Sequence, residues 1–430
     1  MAKVVIVGAG PMGLAAGYYA VRAGHEVEVV EADDRVGGMA AHFDFDGLSL
    51  ERFYHFCCLS DVDTIGLLAD LGLDPIAWRE TKMGYFIGGK LHPFGDPISL
   101  LTFPALGPIE KLRYGLMAFL STKRSDWQRL DKISAKDWFI GWCGQSVYDR
   151  LWKPLFELKF FEYSDRISAA WIWQRIKRIG NSRKSLFQEQ LGYIPGGTET
   201  LMNALADAII AAGGKIRLKD AVKRIRIVDG AVTGVETASG AGIPADFVIS
   251  TAPLPYIPGL VEQDAPALAE TYKGFDNVGC ICVVHKLKKS VTPNFWLNIS
   301  DPAIDIPGIV EFSNLRPTGD TIVYVPYYMP TTHEKFGWTD EALAEESFRY
   351  IQKVNPALTA DDRLAVHVGR LRYAQPVCEV GFAARIPAAQ TPVRGLQIAD
   401  TCFYYPEDRG VSESIGFARR MVETLAGGAR

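Results

Sequence analysis

The sequence lacks several things that would settle its chemistry early. Its seven cysteines (Cys57, Cys58, Cys143, Cys280, Cys282, Cys378 and Cys402) form no C-x-x-C pair, and H-E-x-x-H is missing. Those absences exclude the common structural zinc sites, a thioredoxin-type redox pair and the zincin motif, so no metal is expected. G-x-S-x-G and the Walker loop are missing too, which excludes a hydrolase nucleophile elbow and a P-loop. An odd cysteine count suits a reduced, cytoplasmic chain better than a disulfide framework. Charge of one sign is also scarce. In 430 residues, 46 basic and 50 acidic groups leave a formal net charge of −4, without the basic face that nucleic acid needs. No repeat or low-complexity linker is visible. The longest apolar stretch, 97–120, is broken by Pro104, Pro108, Glu110, Lys111 and Arg113, so it cannot span a bilayer. It suits either a buried or channel-lining helical pair or peripheral contact with a membrane surface, and the helical pair is favoured. No signal peptide is read, because the first apolar run is committed to a glycine-punctuated motif.

What is present is an ordinary globular composition, 48% hydrophobic and 22% charged, which argues against disorder. Lys3 to Val7 (KVVIV) is too short for a helix and rich in β-branched residues, so it reads as a strand buried on both faces. GAGPMG, Gly8 to Gly13, follows at once, then the helical stretch LAAGYYAVRAG and a second strand ending at Glu31. Gly8 permits the tight turn, Gly10 lets backbone approach a pyrophosphate, and Gly13 lets helix pack on strand. The pyrophosphate then meets the unpaired N–H groups of a helix N-terminus. Glu31, 18 residues after Gly13, is placed to accept hydrogen bonds from ribose hydroxyls and would repel a 2′-phosphate. The nucleotide is therefore FAD or NAD rather than NADP.

EADDRVGG, Glu31 to Gly38, decides between them. Its R-x-G-G element resembles the FAD-binding signature of the flavin amine oxidase superfamily. That group includes protoporphyrinogen oxidases, phytoene-type desaturases and, more distantly, UDP-galactopyranose mutases. The resemblance implies that Arg35, Gly37 and Gly38 wrap the pyrophosphate and ribityl chain of FAD, with Pro11, Met12, Ala32 and Met39 in the same site. It extends to GYIPGGTETLMNALADAII (192–210), to FVISTAP (247–253) and to the C-terminal GLQIADTCFYYPEDRGVSESIGFARRMVETL. It further implies that the backbone of Val222 meets the adenine and that Asp400 lies near the ribityl chain or pyrophosphate. Gly410 and Val411 would open a helix facing the flavin. Many relatives have Gly-Asp where this chain has Ala399-Asp400, and the TCFYYPEDR insert is its own.

The expected fold is α/β: a Rossmann-type FAD-binding domain from 1–75, 190–255 and 390–430, interleaved with an α+β substrate domain from 76–189 and 256–389. The hairpin signals are Asp229-Gly230 and Gly88-Gly89. FDGLSLERFYHF, Phe45 to Phe56, lies where relatives return to the flavin, which makes Arg52, Tyr54 and His55 the catalytic candidates. Arg52 is chosen because a buried cation needs a partner. His55 either orients substrate or is a satisfied histidine in a buried turn. WKPLFELKFFEYSDRISAAWIWQRI, with Lys153, Lys159 and Arg175, either lines a pocket or forms a helical core with a basic edge, and the second is favoured. Tyr327, Tyr328, Tyr404 and Tyr405 are candidate cage residues or ordinary packing.

The expectation is an FAD-dependent oxidoreductase that takes a hydride from a C–H or C–N bond of an apolar or mixed-polarity small molecule. Lipid, prenyl, porphyrin-like and sugar-linked substrates all stay open. One alternative is a redox-neutral flavoenzyme of the sugar-mutase type; another is a lipid-binding protein like the Rab GDP-dissociation inhibitors. The chain is expected in the cytoplasm or on the inner face of a membrane.

Overall fold

The computed structural model describes residues 1–185 and 187–427. Lys3–Val7 does form a central strand, with Val4 to Val7 buried on both sides. It pairs in parallel with Glu26–Val30 and Phe247–Ser250, so that Val5 faces Glu28 and Val248. Lys215–Arg217 and Leu396–Ile398 complete a five-stranded parallel sheet from the two edges. Helices Pro11–Arg22, Thr198–Ala211 and Val411–Gly427 share one apolar core with this sheet. Leu201, Leu205 and Ile209 recur every fourth residue and bury one helical face. They meet a helix whose own face is mostly alanine and glycine, which allows close approach: a Cβ at Gly17 would lie 2.7 Å from Ile209 Cδ1.

The second body is a seven-stranded sheet. Its order is Arg363–Pro376, Asn277–Leu287, Thr321–Met329, Gly308–Glu311, Trp296–Ser300, Met83–Ile87 and Lys90–Pro93. All its pairings are antiparallel except Trp296–Ser300 with Met83–Ile87. Two hairpins turn at the glycines expected of them, Gly88-Gly89 and Asp229-Gly230, and a third turns at Asp46-Gly47, which was not singled out from the sequence. Asp46-Gly47, Gly88-Gly89 and Asp229-Gly230 all have positive φ at both central residues, as a two-residue turn matched to strand twist requires. Helices Lys153–Phe160 and Ala169–Asn181 lie over this sheet's inner face and close a cavity against it. Among the described residues no helix is long and apolar enough to cross a membrane.

Candidate active site

Two glycine turns face each other at the C-terminal edge of the parallel sheet. The first, Gly8 to Gly13, ends in a helix that begins at Pro11, with Gly10 extended and no side chain capping the first N–H groups. A Cβ at Gly13 would stand 1.9 Å from the Gly8 carbonyl oxygen, so no larger residue fits. In the second, Gly37 and Gly38 both have positive φ, and a Cβ on Gly38 would come within 3.0 Å of Gly10 Cα. The Gly37 N–H donates to the Ala9 carbonyl at 2.8 Å and locks one turn to the other. This is a cradle of bare backbone beside free helix N–H groups, and it fits a dinucleotide pyrophosphate. Met12 is buried under it, Pro11 is half-buried and Ala32 is exposed.

Glu31 ends the second strand as expected, and its carboxylate accepts the N–H groups of Ala9 (2.6 Å) and Asp33 (2.9 Å). The backbone of Lys219 and Asp220 bonds to Asp33 and Glu31, which carries the start of the Val222–Val228 strand to the same corner. Val222 itself is half-buried opposite Thr237. Arg35 turns back on its own loop, with Nε on Asp34 (2.7 Å) and Nη1 on the His42 carbonyl (2.7 Å).

A cavity of about 940 Å³ lies between the two bodies of the fold. Met39, Gly410 and Val411 line it, as do Tyr54 and His55. The Leu48–Glu51 strand delivers the last two, since its hairpin with His42–Phe45 fixes where the chain re-enters. Burial lowers the His55 pKa, only partly offset by Glu51, so the imidazole is neutral; its Nδ1 has no partner among the described residues. Burial raises Tyr54 well above the ordinary tyrosine value, reinforced by neighbouring Tyr328, so it keeps its proton. Tyr54 packs edge-on against Trp296 and Tyr324 at 5.5 and 5.8 Å. Glu51 is buried below them. Burial alone would raise its pKa, but His42, the Thr198 N–H and Arg316 hold it at about 2.

Arg52 requires a correction. It does not line the cavity; its guanidinium is partly exposed and pairs with Asp33 at 2.5 Å, with Asp34 at 3.9 Å. The reason for choosing it, a buried cation without a partner, therefore does not apply. Asp400 also stands back from the cavity. Its two carboxylate oxygens accept the N–H groups of Leu254 (2.9 Å) and Cys402 (2.8 Å), bracing the C-terminal motif against the end of the Phe247–Ser250 strand. Of the four candidate cage tyrosines only Tyr328 lines the cavity. Tyr404 bonds to Ser414, Tyr405 bonds to Asp131 and Ser168, and Tyr327 belongs to a separate core.

The basic edge expected on the outside of the helical run points inward instead. Lys159 and Arg175 line the cavity together with Arg409, while Lys153 is exposed. Arg175 pairs with Asp408 at 2.5 Å and lies over the Trp171 ring at 3.4 Å. The spacing carried a signal, because Phe156, Lys159 and Phe160 share a helical face and Arg175 follows Trp171 by one turn. Arg409, in the insert peculiar to this chain, had no such signal.

Comparison with known proteins settles the broad class. The family model for flavin containing amine oxidoreductases matches residues 13–400. The chain belongs to that family. The family is described as flavin-containing, in keeping with the glycine cradle. A 15-cis-phytoene desaturase of Solanum lycopersicum is 27% identical over 287 residues, 61% of this chain and 48% of the relative. A probable zeta-carotene desaturase of Synechococcus elongatus is 25% identical over 317 residues, 64% of this chain and 63% of the relative. The chain thus spans about half to two thirds of the length of these curated relatives. Among solved structures, putrescine oxidase superposes with a TM-score of 0.76 at 18% identity, covering 99% of both chains. Reduced UDP-galactopyranose mutase also gives 0.76, at 16% identity, covering 100% of this chain and 96% of that one. At those identities the likeness is one of fold.

Proposed function

We propose that this amine oxidoreductase oxidises a C–H or C–N bond of a small molecule of mixed polarity. The observation that carries the reading is a single cavity shared by Met39 of the R-x-G-G turn, by Gly410 and Val411 at a helix start, and by Tyr54 and His55. FAD supplies the hydride acceptor when bound. Gly8, Gly10, Gly13, Gly37 and Gly38 would hold its pyrophosphate, Glu31 its ribose, and the Gly410–Val411 helix start would lie toward its ring. Neutral His55, with a free ring nitrogen, and protonated Tyr54 would orient substrate by hydrogen bonds. Trp152, Phe156, Phe160 and Trp171 keep water from the reacting carbon. Phytoene and zeta-carotene, for which two relatives are named, are hydrocarbons, and these aromatic walls suit an apolar body.

The 97–123 stretch supports a membrane contact as part of this reading. Helices Pro97–Thr102 and Pro108–Lys123 turn Leu100, Tyr114 and Ala118 to the cavity. Their outer faces leave Leu101, Ile109 and Leu112 69, 74 and 73% exposed. An apolar outer face at a cavity mouth suits a protein that draws an amphiphile from a bilayer. Co-flotation with anionic liposomes at low salt is the expected result, and its absence removes the membrane contact alone.

The ultraviolet–visible spectrum of the purified protein tests the main reading. A bound flavin spectrum that bleaches with dithionite and returns with an electron acceptor is expected, with net acceptor consumption during turnover. Turnover only after prereduction, with substrate and product at one oxidation level, would favour the sugar-mutase type instead. A colourless protein that takes up no added FAD would overturn the reading.

A further inference from the structure

The cavity holds more positive charge than its own carboxylates answer. Glu51 is engaged with His42 and Arg316, Asp61 is paired with Arg178 at 2.9 Å, and Asp96 caps the helix that starts at Pro97. Asp408 accepts from Arg175 and from the Arg409 backbone N–H. Lys159 and Arg409 have no carboxylate within ion-pair distance among the described residues. Arg409 donates to the Ala374 carbonyl and, at 3.0 Å, to the Tyr328 hydroxyl. Lys159 Nζ faces ring systems only, at 5.0 Å from the Trp171 centroid and 4.5 Å from that of Tyr328. The same two rings carry the other cations: Arg175 over Trp171 at 3.4 Å and Arg409 over Tyr328 at 5.6 Å. Two aromatic plates thus gather three cations around one carboxylate. Ring faces stabilise a desolvated cation only modestly, so the cluster is incomplete without an anion.

We infer that Lys159 and Arg409, held between Trp171 and Tyr328, bind an anionic group of the substrate, a carboxylate or a phosphate ester on an otherwise apolar body. This rests on the reading of the cavity as the substrate site, and it narrows that reading in one direction. A protonated amine would meet like charge here, and a pure hydrocarbon would leave the cluster unanswered. Burial, then Arg175 and Arg409, pulls the Lys159 pKa well below its usual value, and Asp408 offsets part of that shift.

Calorimetric titration of the purified flavoprotein with decanoate, decyl phosphate, decanol and decylammonium at pH 7 tests the proposal. The two anions should bind about tenfold or more tightly than the alcohol or the ammonium. The tighter of the two names the anion as carboxylate or phosphate. Lys159→Met should weaken anion binding about tenfold and leave decanol unchanged, while Lys159→Arg should retain most of the affinity. Decylammonium binding as tightly as the anions, or anion binding indifferent to Lys159→Met, would overturn it. The comparison of anion with ammonium needs only the natural sequence, so a variant that fails to fold leaves the test standing. Loss of the flavin spectrum marks failure of the oxidoreductase reading, whereas a flavoprotein without anion preference marks failure of this one.

Discussion

At the twin glycine turns, Gly8, Gly10, Gly13, Gly37 and Gly38 come together so closely that an added carbon on Gly13 or Gly38 would meet backbone within 3.0 Å. In the cavity, by contrast, Lys159, Arg175 and Arg409 converge on two rings from two helices and a loop. The first region is made of backbone and the second of side chains. Backbone recognition depends on the absence of atoms, and only glycine supplies that, so the first region admits almost no substitution. The side-chain region can be retuned one charge at a time.

The sharpest way to break this contrast is Gly13→Ala. The new Cβ would need room where the Gly8 carbonyl oxygen lies 1.9 Å away, and a carbonyl that caps a turn cannot swing aside. We expect no flavin to be retained after gel filtration, and a loss of folding stability of about 4 kcal/mol or more, in the range reserved for severe backbone conflicts. A variant that keeps its flavin and melts with the wild type would show the first region to be more plastic than its geometry implies.

Two buried carboxylates repeat the contrast on a smaller scale. Glu51 is joined to the nucleotide side through Thr198, and its contacts with His42, the Thr198 N–H and Arg316 hold its pKa at about 2 against burial, below the ordinary 4.5. Glu311, in the seven-stranded sheet, has only N–H and hydroxyl donors, and burial lifts it to about 7. The signs are opposite. A depressed pKa gives stability that is present above pH 4.5 and lost as pH falls toward 2. A raised one gives stability that is present below 4.5 and lost as pH rises through 7. At 1.36 kcal/mol per unit each shift corresponds to about 3 kcal/mol. Urea unfolding from pH 3 to 8 should show Glu311→Gln flattening the decline between pH 5 and 8. Glu51→Gln should flatten the loss on the acid side instead. Parallel slopes in the two variants would mean that the two sites are not electrostatically different.

The same division explains what could be read without coordinates. The glycine turns, Glu31 and the hairpins at Gly88-Gly89 and Asp229-Gly230 were legible, because each requires a residue type that nothing else replaces. Tyr54 and His55 were picked from a stretch that resembles the family where it returns to the flavin, and both line the cavity. The cation cluster was not legible. Lysine and arginine are ordinary on a helix surface, and only the folding of residues 159, 175 and 409 around one pair of rings makes them a site. What Asp400 bonds to was not legible for a related reason: a carboxylate between a strand and a loop suits a ribityl partner and a backbone brace equally, and only the structure shows that it accepts the Leu254 and Cys402 N–H groups.

Arg52 gives the smallest expected effect and the cleanest check on the boundary between the regions. It sits next to the cavity segment in sequence, yet its charge goes to Asp33 in the ribose-side loop, with the pair 26 and 32% exposed. A partly exposed pair of this kind is worth about 0.5–1 kcal/mol at most, because water screens it and both side chains lose freedom. Arg52→Ala should therefore lower the melting temperature by only a few degrees, retain flavin, and leave the affinity for decanoate or decyl phosphate unchanged. If it released the flavin instead, the glycine cradle would not be sufficient by itself, and a side chain would have to be counted among the parts that hold the nucleotide. If it weakened the anion while the flavin stayed, the cation cluster would extend beyond Lys159 and Arg409 to a residue that does not line the cavity. Either result would move the boundary between the backbone-built and side-chain-built regions to the Arg52–Tyr54 turn.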